Sequence, residues 1–170
     1  MTFTIYDSSA PVFIDMLRNM RNWLDKAAAE KPEAELIEAR LAEDMRPLPA
    51  QYQMASDSAK NAIARLAGIE PPAMPDTETT FAELRERCDK TIAFIESVDR
   101  SVLDGCETRE VAIKFPNGMG YRFSGGDYLR NFALPNFYFH ATTAYAILRS
   151  EGVSLGKPDY LQHLGMPEQM

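Results

Sequence analysis

Four long segments of this chain repeat apolar residues at the spacing of an α-helix, and this pattern constrains the fold most. In the first segment, apolar side chains recur every three or four positions: Phe13, Met16, Leu17, Met20, Trp23, Leu24 and Ala27. Such a broad apolar stripe is typical of a helix that packs in a bundle. Ser8 or Ser9 is suited to cap the segment, Pro11 suits its first turn, and Pro32 ends it. A shorter helix is predicted over residues 33–42.

The second and third long segments have clear boundaries. The second is predicted from about Pro49 to Ala67, with Gly68 as its C-terminal stop. Its inner face carries small or modest side chains, which let a neighbouring helix approach closely: Ala55, Ala59, Ala62, Ile63 and Leu66. The third segment begins with a T-x-x-E capping box formed by Thr80 and Glu83.

A different pattern follows the third segment. In "REVAIKFPNGMGYRF", apolar and polar residues alternate on either side of Asn117 and Gly118. This arrangement predicts a β-hairpin. Because two strands alone are marginally stable in water, the hairpin must pack on the helices. An alternative is that it shields the end of the bundle or the entrance of a site.

The fourth long segment contains a proline within its helical pattern. It begins after Ser124, where Asp127 completes a start that resembles a capping box, and it runs to about Arg149. Pro135 has no N–H to donate to the carbonyl of Asn131, and its ring crowds that carbonyl. The sequence therefore predicts a kink or a break at Pro135.

Together these segments predict a single domain over residues 1–170. The predicted fold class is all-α: an up-and-down four-helix bundle with a small β-hairpin insertion between the third and fourth long helices. The connections between the helices are long enough for crossovers. The order of the helices around the bundle is therefore left open.

The charge and the cysteines exclude several classes of function. The formal net charge is -7 and the sequence pI is near 4.9, so the chain has no basic surplus for a nucleic acid or an anionic membrane. No apolar run approaches the roughly 20 residues that span a bilayer, and no signal peptide is recognisable, so we expect a cytoplasmic protein. Cys88 and Cys106 form no CxxC pair, which argues against a structural zinc site.

The chain contains only two histidines, His140 and His163, and no phosphate-binding loop, nucleophile elbow or HExxH motif. His140 shares a helical stripe with Phe137 and Ala144, which directs it into the bundle. Two interpretations stay open. A neutral core histidine would be held by a hydrogen-bond partner. Alternatively, His140 is a base or a lone metal ligand at the end of a cavity.

Several polar residues could accompany His140 at such a site. The candidates for a catalytic role beside His140 are Asn136, Tyr138 and Thr143. The candidates for ligand binding are Gln51, Asp57 and Tyr145, and Gln53 is a further polar residue on the second long helix. Tyrosines and threonines at such positions are more often satisfied groups at the edge of a core than catalysts.

Several segments together resemble a known family. They are "ARLAEDMRPL" with the following Gln51, "TTFAELRERCDKTIAFIES", "ALPNFYFHATTAYAILR" and "GVSLGKPDYL". They are similar to bacterial and fungal proteins catalogued as a domain of unknown function and grouped with the DinB/YfiT-like helical bundles. The resemblance covers nearly the whole chain. It implies a four-helix bundle, frequent homodimers and membership of a superfamily regarded as metalloenzymes.

The sequence departs from the metal-binding pattern of that superfamily. Its metal-binding members use one histidine from the second helix and an HxxxH pair from the last helix. The positions four residues from His140 hold Asn136 and Ala144, and the second long helix has no histidine. We therefore predict no metal and no cofactor. Related bundles include thiol-dependent transferases and isomerases, so a transferase role is open by analogy.

These observations support three hypotheses about function. The first is a metal-free DinB-like protein that binds a small molecule or acts as a dimeric module. The alternative is an enzyme, a small-molecule transferase, isomerase or hydrolase, with His140 as the base or a residual metal ligand. The third is a homodimer that pairs the first and last helices through Phe13, Trp23 or the tyrosines.

Overall fold

The structure, a computed structural model, describes residues 3–170. It has four long helices: α1 (Ala10–Glu30), α3 (Leu48–Ala67), α4 (Phe81–Ser97) and α6 (Leu134–Ser150). Three short α-helices accompany them: α2 (Glu33–Ile37), α5 (Gly125–Tyr128) and α7 (Lys157–Tyr160). The strands β1 (Glu110–Lys114) and β2 (Gly120–Ser124) pair antiparallel. The predicted all-α four-helix bundle with a hairpin between its third and fourth long helices is confirmed. None of the described helices is long and apolar enough to cross a membrane.

The long helices are arranged so that α1 and α3 lie diagonally across the bundle. Each of these two helices packs between α4 and α6. Helices α1 and α4 are antiparallel, because Arg18 pairs with Glu96 while Arg85 pairs with Asp25. The order around the bundle, which the sequence left open, is therefore α1, α4, α3, α6.

Helices α3 and α4 run parallel, so the predicted up-and-down alternation does not hold between these two helices. Glu78 and Thr79, just before α4, border the same surface depression as Pro47 and Pro49, which lie at the start of α3. The connection over residues 68–80 therefore crosses back along the length of α3. Helix α6 runs antiparallel to α3 and packs against it.

The core is built from the predicted apolar stripes. All five members of the small face of α3 are fully buried: Ala55, Ala59, Ala62, Ile63 and Leu66. The Tyr52 hydroxyl donates to the carbonyl of Met20 at 2.9 Å, which satisfies a polar group inside the core. Phe13 and Trp23 are buried within the single chain, so the prediction that they form a dimer contact is wrong. Their helical stripe faces α6 and the tail.

The predicted ends of the helices are confirmed in part. The capping box of Thr80 and Glu83 is confirmed. Ser9 is the N-cap of α1, but its hydroxyl donates backwards to the carbonyl of Ile5 and makes no cap hydrogen bond, because the preceding chain already forms helical turns. The second helix ends at Ile37 and does not reach residue 42. Beyond it the chain reverses, and the Leu48 N–H donates to the carbonyl of Ala39.

Pro135 does not break the last helix. Residues Leu129–Ala133 form a π-helical turn in which the N–H of Leu134 donates to the carbonyl of Leu129. The helical path is continuous from Gly125 to Ser150. The predicted interruption thus takes the form of a wider turn placed directly before the proline, and such turns are common near functional sites.

The C-terminal tail docks on α1 and α6. The Trp23 indole N–H donates to the carbonyl of Asp159 at 3.0 Å, and Lys26 pairs with the Asp159 carboxylate at 3.1 Å. The Tyr160 ring stacks on Trp23 and meets Tyr145 edge-on. The tail therefore completes the core on the side of α6 that faces away from α3.

Candidate functional site

A groove of about 310 Å³ lies between α3 and α6, and the hairpin borders it through Ile113. Five residues of α3 line the groove, and besides Asp57 they recur every three or four positions: Met54, Ser58, Asn61 and Arg65. They form one stripe of the helix, adjacent to the buried alanine stripe. The π-helical turn supplies Phe132 and Ala133 to the opposite wall.

Three polar pairs join α3 to the last helical region along this groove. They are Gln51 with His140 at 2.9 Å, Ser58 with Asn136 at 2.6 Å, and Arg65 with Tyr128 at 3.0 Å. Their partners on α3 lie seven residues apart, so successive pairs are separated by about 10 Å along the helix. The antiparallel register of the two helices therefore places His140 at one end of the groove and Arg65 at the other.

The hydrogen bonds of Gln51 fix the tautomer of His140. The amide nitrogen of Gln51 donates to the carbonyl of Arg46 at 2.9 Å, and a carbonyl can only accept. The amide oxygen of Gln51 is therefore the atom that lies 2.9 Å from Nδ1 of His140. Because that oxygen also only accepts, Nδ1 carries the hydrogen, and Nε2 of the neutral ring carries the lone pair.

His140 is half-buried and lines the groove. Within residues 3–170, no group is hydrogen-bonded to its Nε2, and the only buried side-chain polar atom without a partner is Nε of Arg87. Nε2 is therefore accessible rather than sealed in the core. Burial lowers the pKa of His140 below its usual 6.5, so the ring is mostly neutral at pH 7.

Two further predicted residues share the groove with His140. The Asn136 side-chain N–H donates to the Ser58 hydroxyl, which leaves the amide oxygen of Asn136 as an acceptor. The Asp57 carboxylate also lines the groove, but Lys60 at 2.9 Å and Arg87 at 3.0 Å offset its charge. The structure thus brings together Gln51, Asp57, Asn136 and His140.

The other predicted residues lie elsewhere. The Thr143 hydroxyl is buried and donates to the carbonyl of Phe139 at 2.7 Å. The ring of Tyr138 is partly exposed and meets Phe137 edge-on, outside the groove. Tyr145 packs edge-on against Trp23 and Tyr160 beneath the tail. Gln53 donates to Glu78 on the opposite side of α3.

Sequence reasoning missed several lining residues. They are Met54, Ser58, Asn61, Arg65, Ile113, Tyr128 and Phe132. A signal for those on α3 was present, because Gln51, Ser58 and Arg65 repeat at seven-residue intervals beside the alanine stripe. The aromatic residues at the π-helical turn had no such signal, because the turn depends on contacts distant in sequence.

The residues of the groove do not fit a resident zinc-type ion. His140 is the only imidazole in it, and its polar neighbours Gln51 and Asn136 present amides, which are poor ligands for such metals. His163 lies across the molecule, where its ring is hydrogen-bonded to Asn19. In the described part of the chain, no three His, Cys, Asp or Glu residues come close enough together to hold a metal ion.

Comparisons with known proteins place the chain in a family. A family model described as "Domain of unknown function (DUF1993)" matches residues 5–161. The crystal structure of a DinB family member protein from Shewanella denitrificans is similar, with a TM-score of 0.85 and 38% sequence identity. That match covers 98% of this chain and 95% of the other. The search of curated proteins found no significant match. This chain therefore belongs to the DUF1993 family of domains of unknown function, within the DinB-like superfamily.

Proposed function

We propose that the groove between α3 and α6 binds a small organic molecule without a resident metal, and that Nε2 of His140 accepts a hydrogen bond from it. One observation carries this proposal. Gln51 holds the His140 ring with Nδ1 protonated, which leaves the lone pair of Nε2 at an accessible surface. A histidine with a purely structural role would have both ring nitrogens satisfied inside the core.

The size and lining of the groove support the same proposal. Its volume of about 310 Å³ lies at the lower end of the range for small-molecule sites. Apolar side chains such as Phe132 and Ile113 lie beside polar ones such as Asn136 and Asn61. This mixture suits a compact ligand with one apolar part and a few polar atoms.

General base catalysis is a second candidate function, and it would make the protein an enzyme. An imidazole that is oriented by a neighbour and has an accessible lone pair meets the geometric requirement for a general base. The lowered pKa of His140 keeps the base unprotonated at neutral pH. The reaction classes consistent with such a base include the transferase, isomerase and hydrolase chemistries suggested by the sequence.

Nuclear magnetic resonance of the two histidines tests the proposal. In protein labelled with ¹⁵N- and ¹³C-histidine, we expect the ¹⁵N shifts of His140 above its pKa to show a protonated Nδ1 and a bare Nε2. A panel of small polar fragments is then titrated. We expect some fragments to move the His140 signals while His163, remote from the groove, stays fixed. A protonated Nε2, or a panel without any effect on His140, would contradict the proposal.

A homodimer is a separate proposal. Phe139, an exposed aromatic residue on α6, and Tyr138 beside it offer an apolar surface that the single chain leaves uncovered. We expect sedimentation at micromolar concentration to detect a dimer that Phe139→Ser weakens. A wild-type monomer at that concentration would contradict this proposal. The cytoplasmic location stays a prediction from the sequence.

A further inference from the structure

The end of the groove opposite His140 carries a cation without an acidic partner. One terminal nitrogen of Arg65 donates to the Tyr128 hydroxyl at 3.0 Å. A guanidinium has five N–H groups, so most of them are left for other acceptors. In residues 3–170 no carboxylate lies within ion-pair distance of Arg65, whereas the nearby Asp57 is held by two cations. Among the described residues that line this end of the groove, Arg65 therefore supplies the only fixed charge, and it is positive.

A second hydrogen-bond donor stands beside this cation. Because the Tyr128 oxygen accepts from Arg65, its own hydrogen is directed elsewhere, and no acceptor for it lies among the described residues. Burial raises the pKa of Tyr128, although Arg65 opposes the shift, so the hydroxyl stays protonated at neutral pH. Asn61 lines the same part of the groove, one turn from Arg65. Its amide has no hydrogen-bond partner in the described chain.

The C-terminal position of Arg65 on α3 does not account for this arrangement. A cation in the last turn of a helix is stabilised by the helix dipole, and that explains why an arginine is tolerated there. It does not explain why the guanidinium and a buried tyrosine hydroxyl meet at the wall of a groove. Two donors that converge without an acceptor are typical of a site for an anion.

The two ends of the groove therefore differ in polarity. His140 offers an acceptor at one end, and Arg65 offers donors and a positive charge at the other. From Met54 to Arg65 the groove extends about 16 Å along α3. The His140 and Arg65 pairs lie about 20 Å apart along the helices, and both side chains tilt toward the N-terminus of their own helix, hence toward each other, which leaves about 10 Å between the two polar ends. Between them, Phe132 and Ile113 present apolar surface.

We propose that the groove recognises an elongated organic anion. Its carboxylate binds Arg65 and the Tyr128 hydroxyl, its apolar chain lies along Phe132 and Ile113, and a hydroxyl or other proton-donating group reaches Nε2 of His140. A carboxylate suits this end because the planar guanidinium binds it through two parallel hydrogen bonds. This inference rests on the proposed function, because it assumes that small molecules bind in the groove.

Matched probes separate the two proposals. The probes are 8-hydroxyoctanoate, the uncharged 1,8-octanediol of nearly equal length, and the short 4-hydroxybutanoate. Binding is followed through the His140 signals, with His163 as the internal reference. For the wild type we expect 8-hydroxyoctanoate to bind about tenfold or more tightly than the diol, since a hydrogen bond to a charged group contributes that much. The short acid cannot reach both ends and leaves the His140 signals nearly unchanged.

Variants at the Arg65 end give the decisive comparison. Arg65→Met is expected to remove most of the preference for 8-hydroxyoctanoate over the diol, because only the acid carries a charge for the guanidinium to pair with. Arg65→Lys keeps the charge without the planar fork and should retain part of the preference, and Tyr128→Phe should lose several-fold. Added salt should weaken binding of the acid but not of the diol. Circular dichroism verifies folding, and Arg65→Lys and Tyr128→Phe carry the test if Arg65→Met does not fold.

The outcomes distinguish the organic-anion proposal from the proposed function on which it rests. Equal binding of acid and diol to the wild type would overturn the organic anion and leave small-molecule binding intact. A preference for the acid that survives Arg65→Met would overturn the assignment to Arg65. If neither these probes nor the fragment panel move the His140 signals, the proposed function itself fails.

Discussion

Helix α3 carries polar groups on the side that faces α4 and on the side that faces α6. The charged groups toward α4 are paired with one another, whereas several polar groups toward α6 have no partner within residues 3–170. On the side of α4, Arg87 is almost completely buried, with a side-chain exposure of 1%. One of its terminal nitrogens contacts Asp57 and Asp76 at 3.0 Å, and the other contacts Glu78 at 2.9 Å and the carbonyl of Pro75. The Arg87 side chain thereby links the connection over residues 68–80 to α3 and α4.

On the side of α6, polar atoms of several residues lack hydrogen-bond partners within residues 3–170. Among them are Nε2 of His140 and most of the N–H groups of Arg65 at the surface of the groove, and the hydroxyl hydrogen of the buried Tyr128. A buried network whose charges are paired within the chain has a structural role. Removing one member leaves the others buried without a partner. Accessible groups that are oriented but unpaired are available for a ligand. The contrast predicts that substitutions on the α4 side change stability and those on the α6 side change binding.

The largest effect is expected at Arg87. Arg87→Met removes the shared cation and leaves Glu78 and Asp57 without it, at a cost of about 3 kcal/mol in the free energy of unfolding. Urea denaturation measures the loss. The matched control is Arg85→Met on the same helix, because Arg85 pairs with Asp25 near the surface and should lose less than about 1 kcal/mol. Equal losses in the two variants would contradict the structural role of Arg87.

The pH dependence of Arg87→Met gives a second readout of the same network. Burial raises the pKa of Glu78, but the hydrogen bonds from Arg87, from its own backbone and from Gln53, together with the charge of Arg87, outweigh it and hold that pKa below 4.5. A carboxyl group with a lowered pKa in the folded state stabilises the protein above its unfolded pKa. This stabilisation is lost as the pH falls through the folded value. We therefore expect the free energy of unfolding of the wild type to decrease as the pH falls, and that of Arg87→Met to decrease less.

A smaller effect is expected at Gln51. Gln51→Leu leaves the carbonyl of Arg46 and Nδ1 of His140 without their partner, at a cost of about 1–2 kcal/mol in the free energy of unfolding. Asn61→Leu is the matched control on the same stripe of α3, since the Asn61 amide makes no hydrogen bond within the described chain. It should change stability by less than about 0.5 kcal/mol. A similar cost for the two variants would mean that the Gln51 hydrogen bonds contribute little.

Protonation of His140 should change the free energy of unfolding by a still smaller amount. Its pKa is lowered by burial, so the unfolded chain takes up the proton first as the pH falls. This contribution to stability is complete above pH 6.5 and is lost as the pH falls toward the folded pKa. His140→Gln should remove this part of the pH dependence. Gln51→Glu should raise the pKa of His140 by adding a negative charge beside its ring. An unaltered His140 titration in Gln51→Glu would contradict the contact.

The bundle could be predicted from the sequence because burial along each helix is encoded locally. The alanine stripe of α3 and the capping box at Thr80 are each contained within a few turns. The parallel course of α3 and α4 could not be predicted in this way, because it depends on distant contacts such as that between Asp57 and Arg87. The π-helical turn before Pro135 likewise replaced a predicted interruption by a continuous helix.

Only some members of the candidate site, and none of their hydrogen-bonded pairs, could be predicted from the sequence. His140, Asn136 and Gln51 were recognisable as polar residues on inward faces. That Gln51 bonds His140 while Asn136 bonds Ser58 depends on the register of α3 against α6, which no local pattern reveals. Tyr145 shares the helix but is covered by Tyr160 of the tail, a contact between distant parts of the chain.

The smallest effect is expected from added metal. We expect no stoichiometric Zn²⁺ binding by the wild type at micromolar protein and no change in Tm, because one imidazole beside two amides is a poor donor set for zinc. The double variant Gln51→His, Asn136→His supplies the missing imidazoles on α3 and one turn before His140. It should gain Zn²⁺ binding and a higher Tm in the presence of the ion. Stoichiometric Zn²⁺ in untagged wild-type protein would overturn the metal-free proposal, since the amides would then not exclude the ion. Binding restricted to the double variant would mean that the bundle can hold a metal and that its own side chains determine that it does not.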